Sequence, residues 1–284
     1  MRFVSAILGC VVSLFLASPT GVAGEPSVLP DLSYRERASE MKDGDRCRLD
    51  LYLPEKGANF PVLVWLHGGG LTGGSKSTDT GRQAARRLAE GGMAVAMVEY
   101  RFNPSVSFPA YVDDVAAAIA WVRANIAQHG GNPQRVVLGG HSAGAYLALM
   151  VALDEQYLRA HGLDARALVG LVALSGQTST HFTVREERRL GARLVVDDAA
   201  PLFHVGRRPF PFLLLTAGED LPLRVEENRL LAAALREAGS AVEERVFEGR
   251  SHGTIFSRIG TKDDAVAAMI IRFVQNAGPQ AEAP

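Results

Sequence analysis

Short apolar runs and longer amphipathic segments alternate along this chain. Residues 60–66 (FPVLVWL) form a continuous apolar run, which is typical of a strand buried on both faces. Residues 111–131 (YVDDVAAAIAWVRANIAQHGG) combine acidic residues in the first turn, apolar residues at helical spacing and glycines at the end, a pattern that predicts a helix. The same two patterns predict further strands at 48–53, 93–100, 134–140, 167–176, 211–218 and 241–249, and further helices at 79–92, 143–153, 224–239 and 262–276.

This alternation predicts the α/β fold class. Strands that are separated by helices pair in parallel, and the helices then cover both faces of the sheet. We therefore expect a mostly parallel, twisted sheet of about eight strands. The strands at 48–53 and 60–66 have no helix between them, so the front edge of the sheet is expected to be antiparallel.

Residues 176–209 do not follow this alternation of strands and helices. The segment is long, polar and rich in arginine, and it follows a predicted strand. A long insertion at the carboxyl ends of parallel strands is where a small lid over a binding site would lie. A solvated helix without a functional role explains the same composition equally well, so both interpretations stay open.

The first residues have the pattern of a secretory signal peptide. Arg2 precedes an uncharged apolar run over residues 3–17, which is followed by small residues at 22–24. The run is too short to span a bilayer comfortably, which makes a membrane anchor the weaker interpretation. We expect a signal peptide over residues 1–24 and a mature α/β domain over residues 25–284, exported to the periplasm or secreted and without a stable membrane anchor.

Composition and charge limit the classes of partner. The 284 residues carry a formal net charge of -1 at pH 7, so the chain lacks the basic excess that nucleic-acid binding requires. Removal of the signal peptide would leave Cys47 as the single cysteine, which excludes a disulfide within the mature chain. A small-molecule substrate fits this composition best, and the oligomeric state stays open.

The pentapeptide Gly140-His141-Ser142-Ala143-Gly144 lies between a predicted strand and a predicted helix. This is the setting in which G-x-S-x-G forms a sharp turn that exposes its serine above the sheet. The glycines avoid collisions in the turn, and the positive end of the helix favours developing negative charge. We therefore interpret Ser142 as a nucleophile rather than as an incidental turn residue.

A serine nucleophile needs a base, and the base needs a carboxylate that orients it. In a sheet of this type the chain order is Ser, then Asp or Glu, then His. His252 lies in a loop between the last strand and the last helix, where an imidazole can reach Ser142. Asp220 and Glu219 end a buried strand, and we expect Asp220 to be the partner, with Glu219 as the fallback.

The stretch WLHGGGLTGG (residues 65–74) follows another buried strand. Glycines there allow backbone N–H groups to approach a substrate, as in the HGGG oxyanion loop. We expect the amides of Gly69, Gly70 and Ala143 to form the oxyanion hole. A phosphate-binding loop is excluded because Ser75 interrupts the required G-K-[ST] order. The sequence contains no dinucleotide or metal-binding motif, so we expect neither a cofactor nor a metal.

Taken together, these motifs resemble the α/β-hydrolase fold. The chain looks like the esterase branch that includes hormone-sensitive-lipase-like carboxylesterases and small bacterial esterases related to kynurenine formamidase. The resemblance implies that Ser142, Asp220 and His252 form the catalytic triad and that Gly69, Gly70 and Ala143 form the oxyanion hole. The chain has Leu71 where this family has tryptophan or phenylalanine, and its N-terminal cap is short, so substrate choice does not transfer.

The expected function is hydrolysis of carboxylic esters by an exported serine esterase. An arylformamidase or another amidase would use the same catalytic residues, and the sequence does not separate the two. A catalytically inactive ligand-binding protein is the alternative of another class, and the intact Ser-Asp-His set argues against it. The natural ester and its acyl and alcohol preferences stay open.

Overall fold

A computed structural model describes residues 26–36 and 38–278, so the signal peptide predicted for residues 1–24 lies outside the described residues. The strands in this part of the chain are β1 (Ser27–Ser33), β2 (Arg48–Leu53), β3 (Phe60–Leu66), β4 (Ala94–Val98), β5 (Gly131–His141), β6 (Gly170–Leu174), β7 (Phe212–Glu219) and β8 (Val242–Ser251). They form one sheet in the order β1-β2-β4-β3-β5-β6-β7-β8.

The sheet is parallel from β4 to β8 along this order and antiparallel at its front edge. β2 pairs antiparallel with both β1 and β4, whereas β3 pairs in parallel with β4 and β5. The predicted α/β class, the mostly parallel sheet of about eight strands and the antiparallel front edge are therefore confirmed. The sequence analysis missed β1, which adds the outermost strand.

Helices cover both faces of the sheet. They are α1 (Asp79–Glu90), α2 (Ala110–Asn125), α3 (Ala143–Leu153), α4 (Glu155–Ala160), α5 (Phe182–Glu187), α6 (Arg224–Glu237), α7 (Thr254–Ser257) and α8 (Ala265–Asn276). α1 and α8 pack on one face, and α2, α3 and α6 pack on the other. Within the described residues, none of these helices has the length and apolar character needed to cross a membrane.

The hydrophobic core has two layers, one on each face of the sheet, and the side chains of β3 alternate between them. Val62, Val64 and Leu66 contribute to the layer beneath α2 and α3, whereas Leu63 and Trp65 contribute to the layer beneath α1 and α8. Side chains of successive strand residues point to opposite faces, so a continuous apolar run fits a strand that is covered on both sides. The carboxyl ends of the parallel strands are thereby fixed along one edge of the sheet.

The predicted insertion at residues 176–209 contains α5 and a short 3-10 helix, Pro201–His204. Its first part is buried although it is polar: Thr178, Ser179 and Thr180 are each at most 1% exposed. Because these residues pack beside the edge where the parallel strands end, the segment is not simply a solvated helix.

Candidate active site

Ser142 lies in the tight turn between β5 and α3. Its φ of 56° and ψ of -119° fall outside the conformations that L-residues ordinarily adopt. A Cβ atom at Gly140 would lie 2.5 Å from the carbonyl carbon of Gly144, and one at Gly144 would lie 2.2 Å from the carbonyl oxygen of Leu66. The turn can therefore form only with glycine at both positions.

The three predicted side chains Ser142, His252 and Asp220 meet in one hydrogen-bonded row. Nε2 of His252 lies 2.8 Å from Oγ of Ser142, and Nδ1 of His252 lies 2.6 Å from Oδ1 of Asp220. Asp220 directly follows β7, and His252 directly follows the neighbouring β8. Glu219, the fallback, is the exposed last residue of β7, so the structure brings Asp220 to the imidazole instead.

Asp220 is held as a carboxylate by several donors. Its Oδ2 accepts hydrogen bonds from the Ser175 hydroxyl and the Ala217 amide, and its Oδ1 accepts one from the Leu221 amide. Burial acts to raise the pKa of Asp220, but the hydrogen bonds from His252, Ser175 and the Leu221 amide outweigh burial and lower the pKa below its usual value. Asp220 thus stays ionised and can orient the imidazole of His252.

The remaining histidines downstream of Ser142 have other partners. Nε2 of His161 lies 2.8 Å from Asp113, His181 caps α5, and Nε2 of His204 lies 2.8 Å from the Asp198 carbonyl oxygen. His252 is therefore the histidine that the fold brings to the serine.

His141 supports the site in a way that the sequence analysis missed. Its Nε2 lies 2.8 Å from the carbonyl oxygen of His252, and its ring stacks on Phe256 with centroids 5.2 Å apart. Burial lowers the pKa of His141 to about 4, and its electrostatic interaction with His252 acts in the same direction, so the ring is neutral near pH 7. His141 thus donates a hydrogen bond that fixes the backbone of His252.

The glycine loop after β3 faces the same cavity. Gly69 and Gly70 have φ values of 132° and 65°, and a Cβ atom at Gly69 would lie 2.0 Å from the carbonyl oxygen of Gly73. Ala143 is the first residue of α3, so its amide has no acceptor within the helix. Both glycines line the cavity that also exposes Ser142 and His252, and Ala143 directly follows Ser142 in the chain.

Buried ionic contacts hold this loop in place. Glu99 accepts hydrogen bonds from the Lys76 amide and the Arg46 guanidinium, and Nζ of Lys76 lies 2.6 Å from Asp50. The Tyr100 hydroxyl donates to the carbonyl oxygen of His67 at 2.8 Å. The loop is therefore anchored at both ends to the antiparallel part of the sheet.

The cavity above Ser142 has a volume of about 550 Å³. Its apolar lining includes Phe182 from the insertion, Leu221 and Phe256. Such a space accommodates a small to medium organic molecule. In the described part of the chain, no group of three or more histidine, cysteine or acidic residues is arranged to hold a metal ion.

A protein-family model and several named relatives are similar to more than half of this chain. The family model described as BD-FAE matches residues 49–202. The probable isoprenylcysteine alpha-carbonyl methylesterase ICMEL1 of Arabidopsis thaliana is 29% identical over 250 residues, which cover 78% of this chain and 52% of that protein. Esterase LipQ of Mycobacterium tuberculosis is 30% identical over 202 residues, which cover 65% and 48%. The chain thus spans about half the length of these curated relatives.

Solved structures share the architecture. The hyperthermophilic esterase from the archaeon Pyrobaculum calidifontis matches with a TM-score of 0.65 and 27% identity, covering 80% of each chain. A truncated carbohydrate esterase from gut microbiota matches with a TM-score of 0.73 over 89% of this chain and 97% of that one, at 16% identity. The second match establishes the shared fold alone.

Proposed function

The chain belongs to the BD-FAE family within the α/β-hydrolase fold, and on that premise we propose that it is a serine hydrolase that cleaves carboxylic esters. One observation carries the proposal: the row from Ser142 through His252 to Asp220, with separations of 2.8 Å and 2.6 Å. A serine hydroxyl becomes a nucleophile when an oriented imidazole takes its proton, and this row supplies both the base and its carboxylate partner. The esterase names of the relatives support the same chemistry.

In the acylation step, Oγ of Ser142 attacks the ester carbonyl carbon while Nε2 of His252 accepts the hydroxyl proton. Asp220 holds the Nδ1–H of His252 and stabilises the imidazolium that forms. The tetrahedral intermediate then collapses, the bond to the alcohol oxygen breaks, and His252 donates its proton to the departing alkoxide. The products of this step are the free alcohol and an ester between the acyl group and Ser142.

We assign stabilisation of the oxyanion to the amides of Gly69, Gly70 and Ala143. The negative charge of the tetrahedral intermediate develops on the former carbonyl oxygen, and prearranged donors stabilise it without reorganisation. Loss of one such donor typically raises the barrier by about 2.7–4 kcal/mol. Two features support the assignment: Gly69 and Gly70 line the cavity at Ser142, and Ala143 opens α3, where the helix dipole favours negative charge.

Deacylation repeats these steps with water as the nucleophile. His252 accepts a proton from water, the hydroxide adds to the acyl carbon, and the bond to Oγ of Ser142 breaks as His252 returns the proton to the serine. The neutral ring of His141, which donates to the carbonyl oxygen of His252, helps to keep the imidazole aligned in both half-reactions.

We also propose that residues 176–209 act as a small lid. Phe182 from this segment is 39% exposed and lines the cavity, and the hydroxyl of Thr183 donates to the carbonyl oxygen of Gly70. These contacts connect the segment to the glycine loop. Replacing Phe182 with alanine should raise KM more than it lowers kcat, and an unchanged KM for esters of every size would refute the lid.

Export to the periplasm or the medium is a further proposal, supported by the positive start and apolar run of residues 1–24. Expression in a Gram-negative host, fractionation and N-terminal sequencing test it. Recovery outside the cytoplasm with a mature N-terminus near residue 25 is expected, whereas an uncleaved cytoplasmic protein would refute it.

The decisive experiment compares wild type with Ser142→Ala on short p-nitrophenyl esters and on N-formylkynurenine. Wild type is expected to hydrolyse the esters, and the variant should lose about 10⁴-fold or more in kcat while keeping its fold. Faster turnover of N-formylkynurenine than of any ester would reassign the protein to the arylformamidases. Absence of turnover with both substrates would favour a ligand-binding protein.

A further inference from the structure

Arg224 is a buried cation that the proposed hydrolysis does not use. It is the first residue of α6 and is 6% exposed. Its Nε and Nη1 atoms are fully buried, and neither has a hydrogen-bond partner in the described part of the chain. The nearest carboxylate oxygen, Oε2 of Glu227, lies 3.8 Å from Nη1, which is beyond hydrogen-bond distance.

Glu227 does not fill this gap because its oxygens already accept other hydrogen bonds. Oε2 accepts from the Thr178 amide at 3.1 Å, and Oε1 accepts from the Ser179 hydroxyl at 2.7 Å. Burial lowers the pKa of Arg224, although the charges of Glu227 and Asp220 oppose that shift. Buried donors without hydrogen bonds are costly to keep, so the two unpaired nitrogens of Arg224 require an explanation, and an anionic ligand would supply their acceptor.

Arg224 is joined through its backbone to a residue of the cavity wall. Its amide donates to the carbonyl oxygen of Leu221 at 3.0 Å, and Leu221 lines the cavity. It also acts electrostatically on two histidines beside the site. Burial, and then the charge of Arg224, lower the pKa of His181 to about 3, and the same charge contributes to the lowered pKa of His141. Glu227, whose Oε2 lies 3.8 Å from Nη1 of Arg224, accepts hydrogen bonds from Thr178 and Ser179, so the guanidinium lies beside the insertion.

His181 offers a second donor at the same place. Its Nδ1 accepts a hydrogen bond from the Thr183 amide at 3.2 Å, so the neutral ring carries its proton on Nε2. That Nε2–H has no acceptor among the described residues. The ring of His181 contacts the ring of Phe182, which lines the cavity, with centroids 4.3 Å apart. Arg224 and His181 thus each adjoin a residue of the cavity wall, Leu221 and Phe182 respectively.

We propose that Arg224, assisted by His181, binds a carboxylate group carried by the ester substrate, so that the preferred substrates are acidic esters. This inference rests on the proposed ester hydrolysis. The planar guanidinium matches a carboxylate with two parallel hydrogen bonds. Leu221 and Phe182, which line the cavity and are 44% and 39% exposed, provide the apolar surface for the stem that connects this carboxylate to the ester.

Matched pairs of acidic and neutral esters test this proposal. On the acyl side, the pair is 4-nitrophenyl hydrogen adipate and 4-nitrophenyl hexanoate; on the alcohol side, it is 4-acetoxybenzoate and 4-acetoxybenzamide. The readout is the ratio of kcat/KM for the acidic ester to that for the neutral one. The double ratio is the wild-type ratio divided by the ratio for Arg224→Gln. This division cancels the effect of the different leaving groups and any loss of activity that is equal for both esters.

We expect this double ratio to be about 10 to 100 in at least one pair, because a charge-assisted hydrogen-bonded pair typically contributes that factor. The ester pair with the raised double ratio shows whether the substrate carries its carboxylate on the acyl part or on the alcohol part. Arg229→Gln is the matched control, since Arg229 is an exposed arginine on the same helix, and its double ratio should stay within about two-fold of one.

A double ratio near one in both pairs, or an equal effect of Arg229→Gln, would overturn the proposal. If Arg224→Gln does not fold, Arg224→Lys replaces it: lysine keeps the charge but loses the planar fork, so the double ratio should still exceed about three, and a value of one overturns the proposal. Absence of turnover of every ester by wild type would instead refute the proposed function itself.

Discussion

Two polar clusters lie side by side where the parallel strands end, and they differ in how completely their atoms are paired. The Asp220 side chain is fully buried, yet both of its oxygens accept hydrogen bonds, and His252 is bonded through both ring nitrogens. Arg224 is also buried, but its Nε and Nη1 have no hydrogen-bond partner in the described part of the chain, and the nearest carboxylate oxygen, on Glu227, lies 3.8 Å from Nη1. The first cluster thus has its hydrogen bonds in place, whereas the second leaves two buried donors unpaired, which is where we propose that a substrate carboxylate binds.

The largest effect is expected when the carboxylate charge of Asp220, which orients the imidazole of His252, is removed. Asp220→Asn keeps the shape of the site but favours the wrong tautomer of His252, and kcat for a short p-nitrophenyl ester should fall by about 10⁴-fold. Glu219→Gln, the change at the exposed neighbour, should stay within about two-fold. A loss of less than ten-fold in kcat for Asp220→Asn, or an equal loss for Glu219→Gln, would show that Asp220 does not orient His252.

A large effect on stability is expected at the turn that presents Ser142. Gly144→Ala places a methyl group against the carbonyl oxygen of Leu66, and backbone atoms cannot yield as side chains do. The free energy of unfolding should drop by about 3 kcal/mol or more, measured by urea denaturation. Gly253→Ala, where no atom lies within 4 Å of the added carbon, should change it by less than about 1 kcal/mol. Equal effects at the two glycines would show that the turn is not under steric constraint.

A moderate effect is expected at His141, which acts through the backbone of His252. His141→Leu removes the donor, and kcat should fall by about ten-fold while KM changes little. His141→Gln keeps an N–H donor at a similar reach and should recover most of that loss. If the two variants were equally impaired, the ring would act through packing on Phe256 rather than through its hydrogen bond.

The last effect develops gradually with pH and concerns the free energy of unfolding in the cluster of Arg224 and His181. Burial lowers the pKa of His181 to about 3, so between pH 3 and its unfolded value near 6.5 the unfolded chain binds a proton that the folded chain does not. Stability should therefore fall as the pH drops through this range. In His181→Gln the slope should be flatter by up to about 1.4 kcal/mol per pH unit. Identical slopes in denaturation series from pH 6.5 to 4 would mean that His181 is not held neutral.

Most of the fold follows from local patterns that tertiary packing reinforces. β3 and residues 136–140 of β5 are buried runs without polar side chains, and GHSAG adds the turn between β5 and α3, so these elements and their order were predictable. β1 was missed because it contains Pro30 and a register shift between Leu29 and Leu32, which disrupt a strand pattern. For residues 176–209 the sequence left a lid and a solvated helix open, because the contacts with Glu227 and Asp197 that allow polar residues 178–180 to be buried come from distant parts of the chain or from within the insertion.

The site was predictable where residue type and chain order are both constrained by the chemistry. Ser142, Asp220 and His252 could be named on that basis, and the structure brings them together. His141 occupies the variable position of the pentapeptide, and Ser175 ends a strand in another part of the sequence, so nothing local marks either as a partner of the triad. Arg224 resembles any other arginine at a helix start, and only its burial without partners distinguishes it.

The most direct test of the central claim is to find where a fluorophosphonate probe attaches. Peptide mapping by mass spectrometry of the labelled protein should show a single adduct on Ser142, absent in Ser142→Ala and formed at least about 100-fold more slowly in His252→Gln. An adduct on another serine, or labelling of Ser142→Ala at the wild-type rate, would contradict the claim that His252 and Asp220 activate Ser142 as the nucleophile.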